Sequence, residues 1–135
     1  MRIYVNILGT VYSIEIIGYK DDKAFEKREI VGYCDSTEHK LVVCDLKDHP
    51  SFEDETDEYR FKQLKHTIRH ETIHAYLSES GLEDNALTYE GPWSRNESMV
   101  DYFAIQGPKI FETWNEISLE LDELFNKQKA EGNNG

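Results

Sequence analysis

The spacing of apolar residues changes once along this 135-residue chain, from a period of two to a period near 3.6, and that change limits the folds open to it. RIYVNIL and VYSIEII alternate apolar and polar residues around Gly9-Thr10, which reads as a β-hairpin. IVGYCD and KLVVCD, joined by the polar STEH, read as a second hairpin, with the charged run KDDKAFEKRE between the two pairs. From about Asp57 to Ser80 the apolar positions Phe61, Leu64, Ile68, Ala75 and Leu77 recur at helical spacing, and Gly81 supplies a stop. KDHPSFEDETDEYR, ahead of that helix, is acidic and carries Pro50, so it reads as a loop. The spacing predicts two more helices: SRNESMVDYFAIQ, capped by Ser94 and ending near Gly107-Pro108, and a closing helix from Pro108 to Lys127. Ile110, Phe111, Trp114, Ile117, Leu121 and Phe125 would lie on one side of the closing helix, and KAEGNNG would fray. The expectation is a single α+β domain over residues 1–135, with an antiparallel sheet first and helices after it.

Composition narrows the function. With 39% hydrophobic residues the chain can bury one modest core. A net charge of -12 argues against nucleic acid or an anionic membrane as partner, because both require basic surface to displace counterions. The charge serves solubility first, and a cleft for basic substrates is the secondary reading. No apolar run approaches the roughly 20 residues of a membrane span, and the N-terminus has no signal-peptide pattern. Two cysteines, Cys34 and Cys44, are too few for a disulfide scaffold, so a cytoplasmic protein with free thiols is expected.

Chemistry concentrates in His70-Glu71-Thr72-Ile73-His74, an HExxH sequence inside the first long helix. Four residues turn a helix through about 400°, so the two histidines differ by about 40° in direction and lie about 6 Å apart along the axis. Both imidazoles can then reach one tetrahedral Zn2+. Glu71 points about 100° away from His70, beside the metal, where it can take a proton from an activated water. Chance gives about 0.02 such matches in a chain of this composition, so a surface helix with two incidental histidines is the weaker explanation. A catalytic zinc needs a third protein ligand. Glu97 follows His74 by 23 residues, on the next predicted helix, with Asp101 four residues beyond it on the same face. Glu97 can face the metal while Asp101 accepts a hydrogen bond from a ligand imidazole. Ser94 to Glu97 is also an S-x-x-E capping box, in which Glu97 would bond only the backbone at Ser94.

HETIH followed by NESMVD resembles the gluzincins, the thermolysin-like branch of the zinc metallopeptidases. In that family HExxH lies on one helix and a glutamate ligand in an N-E-x-x-x-D context lies on the next, here Asn96, Glu97 and Asp101. The resemblance implies zinc held by His70, His74 and Glu97, with Glu71 as general base and Asp101 orienting His70. It also implies a peptide or protein substrate. The order of strands, acidic loop and motif helices is similar to that of small gluzincin-like proteins of phages and prophages, which implies a bacterial host cell. The family's large C-terminal helical domain has no counterpart here, and no residue matches its transition-state stabiliser; Tyr89 and Trp93 are the nearest candidates.

Other residues carry weaker signals. His66 lies one turn before His70 and could extend the site, although an exposed position is the plainer expectation. His39 and His49 fall in loops. Cys34 and Cys44 could bridge or cap a metal if the hairpin register put them on one face, and otherwise they are buried thiols. By resemblance, KLVVCD or IVGYCD would offer an edge to extended substrate. Two functions follow: a zinc metallopeptidase, or a non-catalytic zinc-stabilised binding or regulatory module.

Overall fold

In the computed structural model, residues 1–82 and 97–133 are described, apart from the side chains of Glu97, Val100, Ala104 and Asn133. Strands β1 (Arg2–Ile7) and β2 (Thr10–Ile17) form the first hairpin, pairing Ile7 with Thr10 across the two-residue turn Leu8-Gly9. Both turn residues have positive φ, 51° and 95°, the primed geometry that matches the twist of paired strands. The Asn6 side chain accepts the Gly9 N–H at 2.8 Å and holds that turn. Alternation is visible in burial: Ile3, Val5, Ile7, Tyr12, Ile14 and Ile16 are buried, while Arg2, Tyr4, Asn6 and Val11 are exposed.

The second hairpin, β3 (Gly32–Asp35) and β4 (Lys40–Cys44), is also antiparallel, and it joins the first through a parallel pairing of β2 with β4. The sheet is therefore mixed, in the order β1-β2-β4-β3, with helices following it in an α+β arrangement. Residues 18–31 cause this order. Within the charged run Asp22 caps helix α1 (Lys23–Lys27) by accepting the Ala24 N–H, and Phe25 of α1 is buried with Val42, Cys44 and Leu46. That packing leads the chain past the place where β4 will lie, so β3 becomes an edge and β4 is covered on both faces. The run KLVV is the sequence sign of such an inner strand. Gly32 and Cys34 lie on the same face as Val43 and Leu41, whereas Cys44 lies on the other with Val42. The two thiols cannot bridge.

Helix α2 (Asp57–Glu79) has almost the predicted bounds. Thr56 caps it through a 3.1 Å bond from the Tyr59 N–H, Asp57 and Glu58 complement its dipole, and Gly81 at φ 75° ends it. Its buried stripe is Leu64, Thr67, Ile68, Glu71, Thr72, Ala75 and Tyr76, spaced by three and one. The threonines fit there because Thr67 and Thr72 donate to the carbonyls of Gln63 and Ile68, at 3.0 and 2.6 Å.

The two helices expected on either side of Gly107-Pro108 are one, α3 (Glu97–Asn133), with Pro108 inside it and most of the KAEGNNG segment included. Proline removes one ladder bond and usually ends a helix. Here the buried residues Tyr102, Ile110, Thr113, Ile117 and Leu121 stay within about 100° of arc across the proline, so the burial pattern continues in phase. Phe111 leaves the expected side and is exposed. Most of the expected loop GLEDNALTYEGPW and the Ser94 cap lie outside the described residues. The chain divides into two compact units, Met1–Gly81 and Leu82–Gly135. Among the described residues no helix is long and apolar enough to cross a membrane.

At its C-terminal end α2 is tied to the sheet by Glu79, which accepts from the Tyr12 hydroxyl at 2.7 Å and the Thr10 hydroxyl at 2.8 Å. Those bonds hold the Glu79 carboxyl below its ordinary pKa, while burial and the carboxylate push the Tyr12 phenol up. Tyr12→Phe is expected to cost about 1.5–2 kcal/mol at neutral pH, measured by urea denaturation. Folding lowers the Glu79 pKa, so this contribution is complete above the ordinary value of 4.5 and fades as pH falls through the lower folded value. The difference between wild type and variant should narrow accordingly in acid.

Candidate metal centre

The side of α2 that turns away from its buried stripe carries His66, Arg69, His70 and His74, all exposed. His70 and His74 converge: their Nε2 atoms are 3.3 Å apart and their ring centroids 5.0 Å apart. Two nitrogens bound at about 2.0–2.1 Å to one tetrahedral zinc stand about 3.3–3.4 Å from each other. The histidine pair therefore has the spacing that the metal requires. A single N–H···N hydrogen bond between neutral rings fits the same separation, and in both cases the nitrogens face a common point.

Glu71 belongs to the adjoining, sheet-facing side. It is 7% exposed, on the stripe that packs α2 against the sheet. Burial raises its carboxyl pKa, opposed by the fields of His74, His70 and Arg28. No hydrogen bond to its carboxylate forms among the described residues. Its oxygens are not among the enclosed polar atoms that lack a partner, so the carboxylate reaches solvent at the margin of the stripe while its stem is buried.

Gly32 on β3 lets the helix pack closely at this position. A Cβ placed on Gly32 would lie 2.7 Å from Thr67 Cγ2, 3.2 Å from the Val42 carbonyl oxygen and 3.5 Å from Glu71 Cγ. Only a residue without a side chain lets α2 lie this close to the edge strand. Sequence reasoning passed over Gly32, although a glycine in the middle of a strand pattern is itself a sign of close backbone approach.

Of the predicted site residues, the structure brings together His70, Glu71 and His74. Glu97 opens α3, with its side chain outside the described residues, and Asp101 is exposed one turn further on. Both belong to the second unit. Among the described residues no three or more His, Cys, Asp and Glu side chains gather as a metal-holding group. Tyr89 and Trp93 also lie outside the described residues.

The remaining histidines have structural partners. His49 Nδ1 accepts the Ser51 N–H at 3.1 Å, and its ring packs edge-on against Tyr19 and Phe52. His39, at φ 52° in the β3–β4 turn, lies 5.3 Å from the Tyr12 ring and 3.9 Å from Glu79.

No protein-family model, curated protein or solved structure matches this chain. The gluzincin resemblance stands on the two motifs and their order.

Gly32→Ala is expected to cost about 1–3 kcal/mol through overpacking against Thr67. Adding Thr67→Ser, which removes the clashing methyl, should recover part of that loss. A double-mutant cycle in urea denaturation reads the coupling, and strict additivity would deny the contact.

Proposed function

We propose that the protein is a zinc-dependent metallopeptidase of gluzincin type, hydrolysing a peptide bond at the HETIH face of α2. The observation that carries the reading is the division of labour within five residues. His70 and His74 converge at 3.3 Å on the exposed side, while Glu71 lies on the adjoining sheet-facing stripe with its stem buried and its oxygens not enclosed.

His70, His74 and Glu97 would hold the metal, and Asp101 would accept the second ring N–H of His70 and fix its tautomer. Zinc bound there supplies Lewis acidity, making water a stronger acid and polarising the carbonyl of the bond to be broken. Glu71 takes the proton from the attacking water and returns it to the departing amide nitrogen. Its raised pKa suits both halves of that transfer, because burial weakens its preference for the charged form. The packing of α2 on Gly32 holds Glu71 in one place while the proton moves.

The alternative, a non-catalytic module stabilised by zinc, would use the same ligands and no base. Glu71→Gln separates the two. Zinc content should remain stoichiometric by elemental analysis, and cleavage of quenched-fluorescent peptide pools should fall at least about 100-fold. Cleavage unchanged by the substitution rejects the peptidase reading. His70→Ala, His74→Ala and Glu97→Ala should each lower zinc content and hydrolysis together. Retention of full zinc by Glu97→Ala would leave the capping role as the explanation of that residue.

A further inference from the structure

Strand β1 is an outer strand of the sheet, and its hairpin decides which of its backbone groups are left over. The Ile16 N–H donates to the Met1 carbonyl at 2.9 Å and the Met1 ammonium donates to the Ile16 carbonyl at 3.3 Å, so these two residues form a hydrogen-bonded pair. Such pairs recur at every second residue of an antiparallel ladder, so Ile3, Val5 and Ile7 turn their N–H and C=O groups towards β2. Those of Arg2, Tyr4 and Asn6 point out of the sheet edge and have no partner among the described residues. The strand lacks the features that usually blunt an edge: RIYVNI contains no lysine or proline, and its register with β2 runs without a bulge. On the face away from the buried residues Tyr4 is 63% exposed, and Val11, its diagonal neighbour on β2, is 59% exposed. Arg2 and Glu15, the two charged side chains of the hairpin strands, are paired with each other. The edge is therefore locally neutral in a chain of net charge -12.

We propose that β1 is a docking edge for a second copy of this chain, the two strands pairing antiparallel about a twofold axis at Tyr4. In that register Arg2 lies opposite Asn6 of the second copy and Tyr4 opposite Tyr4, so every outward N–H and C=O of both strands is used. A shift by two residues in either direction leaves one outward residue of each strand unpaired, and a larger shift sets Arg2 against Arg2. The strand is thus complementary to itself in one register. Tyr4 and Val11 of both copies then form one apolar run across the shared face, and the local neutrality lets two chains of the same net charge meet there. Twofold pairing also closes, because it uses both β1 edges and leaves β3 at the two ends of the joined sheet.

Sedimentation equilibrium of the full chain from about 1 to 100 µM tests the pairing. EDTA is present so that no metal bridges the exposed histidines of two chains, and about 0.5 M salt screens the repulsion between them. A monomer–dimer equilibrium should appear. Tyr4→Lys opposes two ammonium groups at the axis, and Tyr4→Pro removes an outward N–H without touching the β1–β2 ladder. Each should weaken dimerisation at least about tenfold. Leu119→Lys, at an apolar residue of α3 that is 66% exposed, should leave it unchanged. Oxidative cross-linking in a Cys34→Ser background, where the remaining Cys44 is buried, reads the register. Tyr4→Cys should cross-link to itself, because directly opposed Cα atoms about 5.5 Å apart suit a disulfide, and Arg2→Cys should not. A dimer unaffected by both Tyr4 substitutions, one lost in Leu119→Lys, or cross-linking through Arg2→Cys but not Tyr4→Cys overturns the proposal. A monomer at every concentration overturns it too, and leaves the edge to a different occupant. None of these readouts depends on peptidase activity.

Discussion

Everything the candidate site does depends on how closely α2 approaches the edge of the sheet. The approach is set at Gly32, where a single methyl would meet Thr67 at 2.7 Å. Because the helix lies this close, the next buried position after Thr67 and Ile68 falls under β3, and that position is a glutamate. Partial burial there disfavours the charged form of the carboxylate, although its oxygens are not enclosed. A leucine at position 71 would be the ordinary occupant of such a stripe. The glutamate is consistent with a role in chemistry and has no packing rationale.

Fixing the helix axis also fixes its rotation, and rotation decides which side chains leave the core. The tie to β2 near the far end of the helix does this, together with the buried stripe. Glu79 accepts hydrogen bonds from the hydroxyls of Thr10 and Tyr12 on β2. The stripe from Leu64 to Tyr76 is buried, so His70 and His74 face away from the sheet. Slipping the stripe by one residue would turn the histidines by about 100° and expose Glu71. The Glu79 tie, the glycine and the stripe are therefore parts of one constraint, and the exposure of the two histidines on the side away from the sheet is its consequence.

Much of this was legible in the sequence because it is local. The hairpins follow from alternation and turn residues, and α2 from its apolar spacing, its N-terminal acids and Gly81. The convergence of His70 and His74 follows from helical geometry alone. What was not legible depends on non-local packing. Whether β3 or β4 lies inward is decided by Phe25 and the α1 segment, which cover one face of β4, although the unbroken KLVV run hinted at it. The parallel β2–β4 pairing follows from that order. Pro108 misled for the opposite reason: a local breaking signal was outweighed by a burial pattern that stays in phase on both sides of it. Cys34 and Cys44 could not be placed until the register put them on opposite faces.

The account turns on a three-ligand zinc centre made of two imidazoles and a carboxylate. Zinc-edge X-ray absorption on protein purified without chelator addresses it most directly. The account predicts one zinc per chain in a shell of nitrogen and oxygen at about 2.0–2.1 Å, with no sulfur at about 2.3 Å. Its histidine scattering should be lost in His74→Ala. A sulfur shell, or protein that carries no stoichiometric zinc, would contradict it.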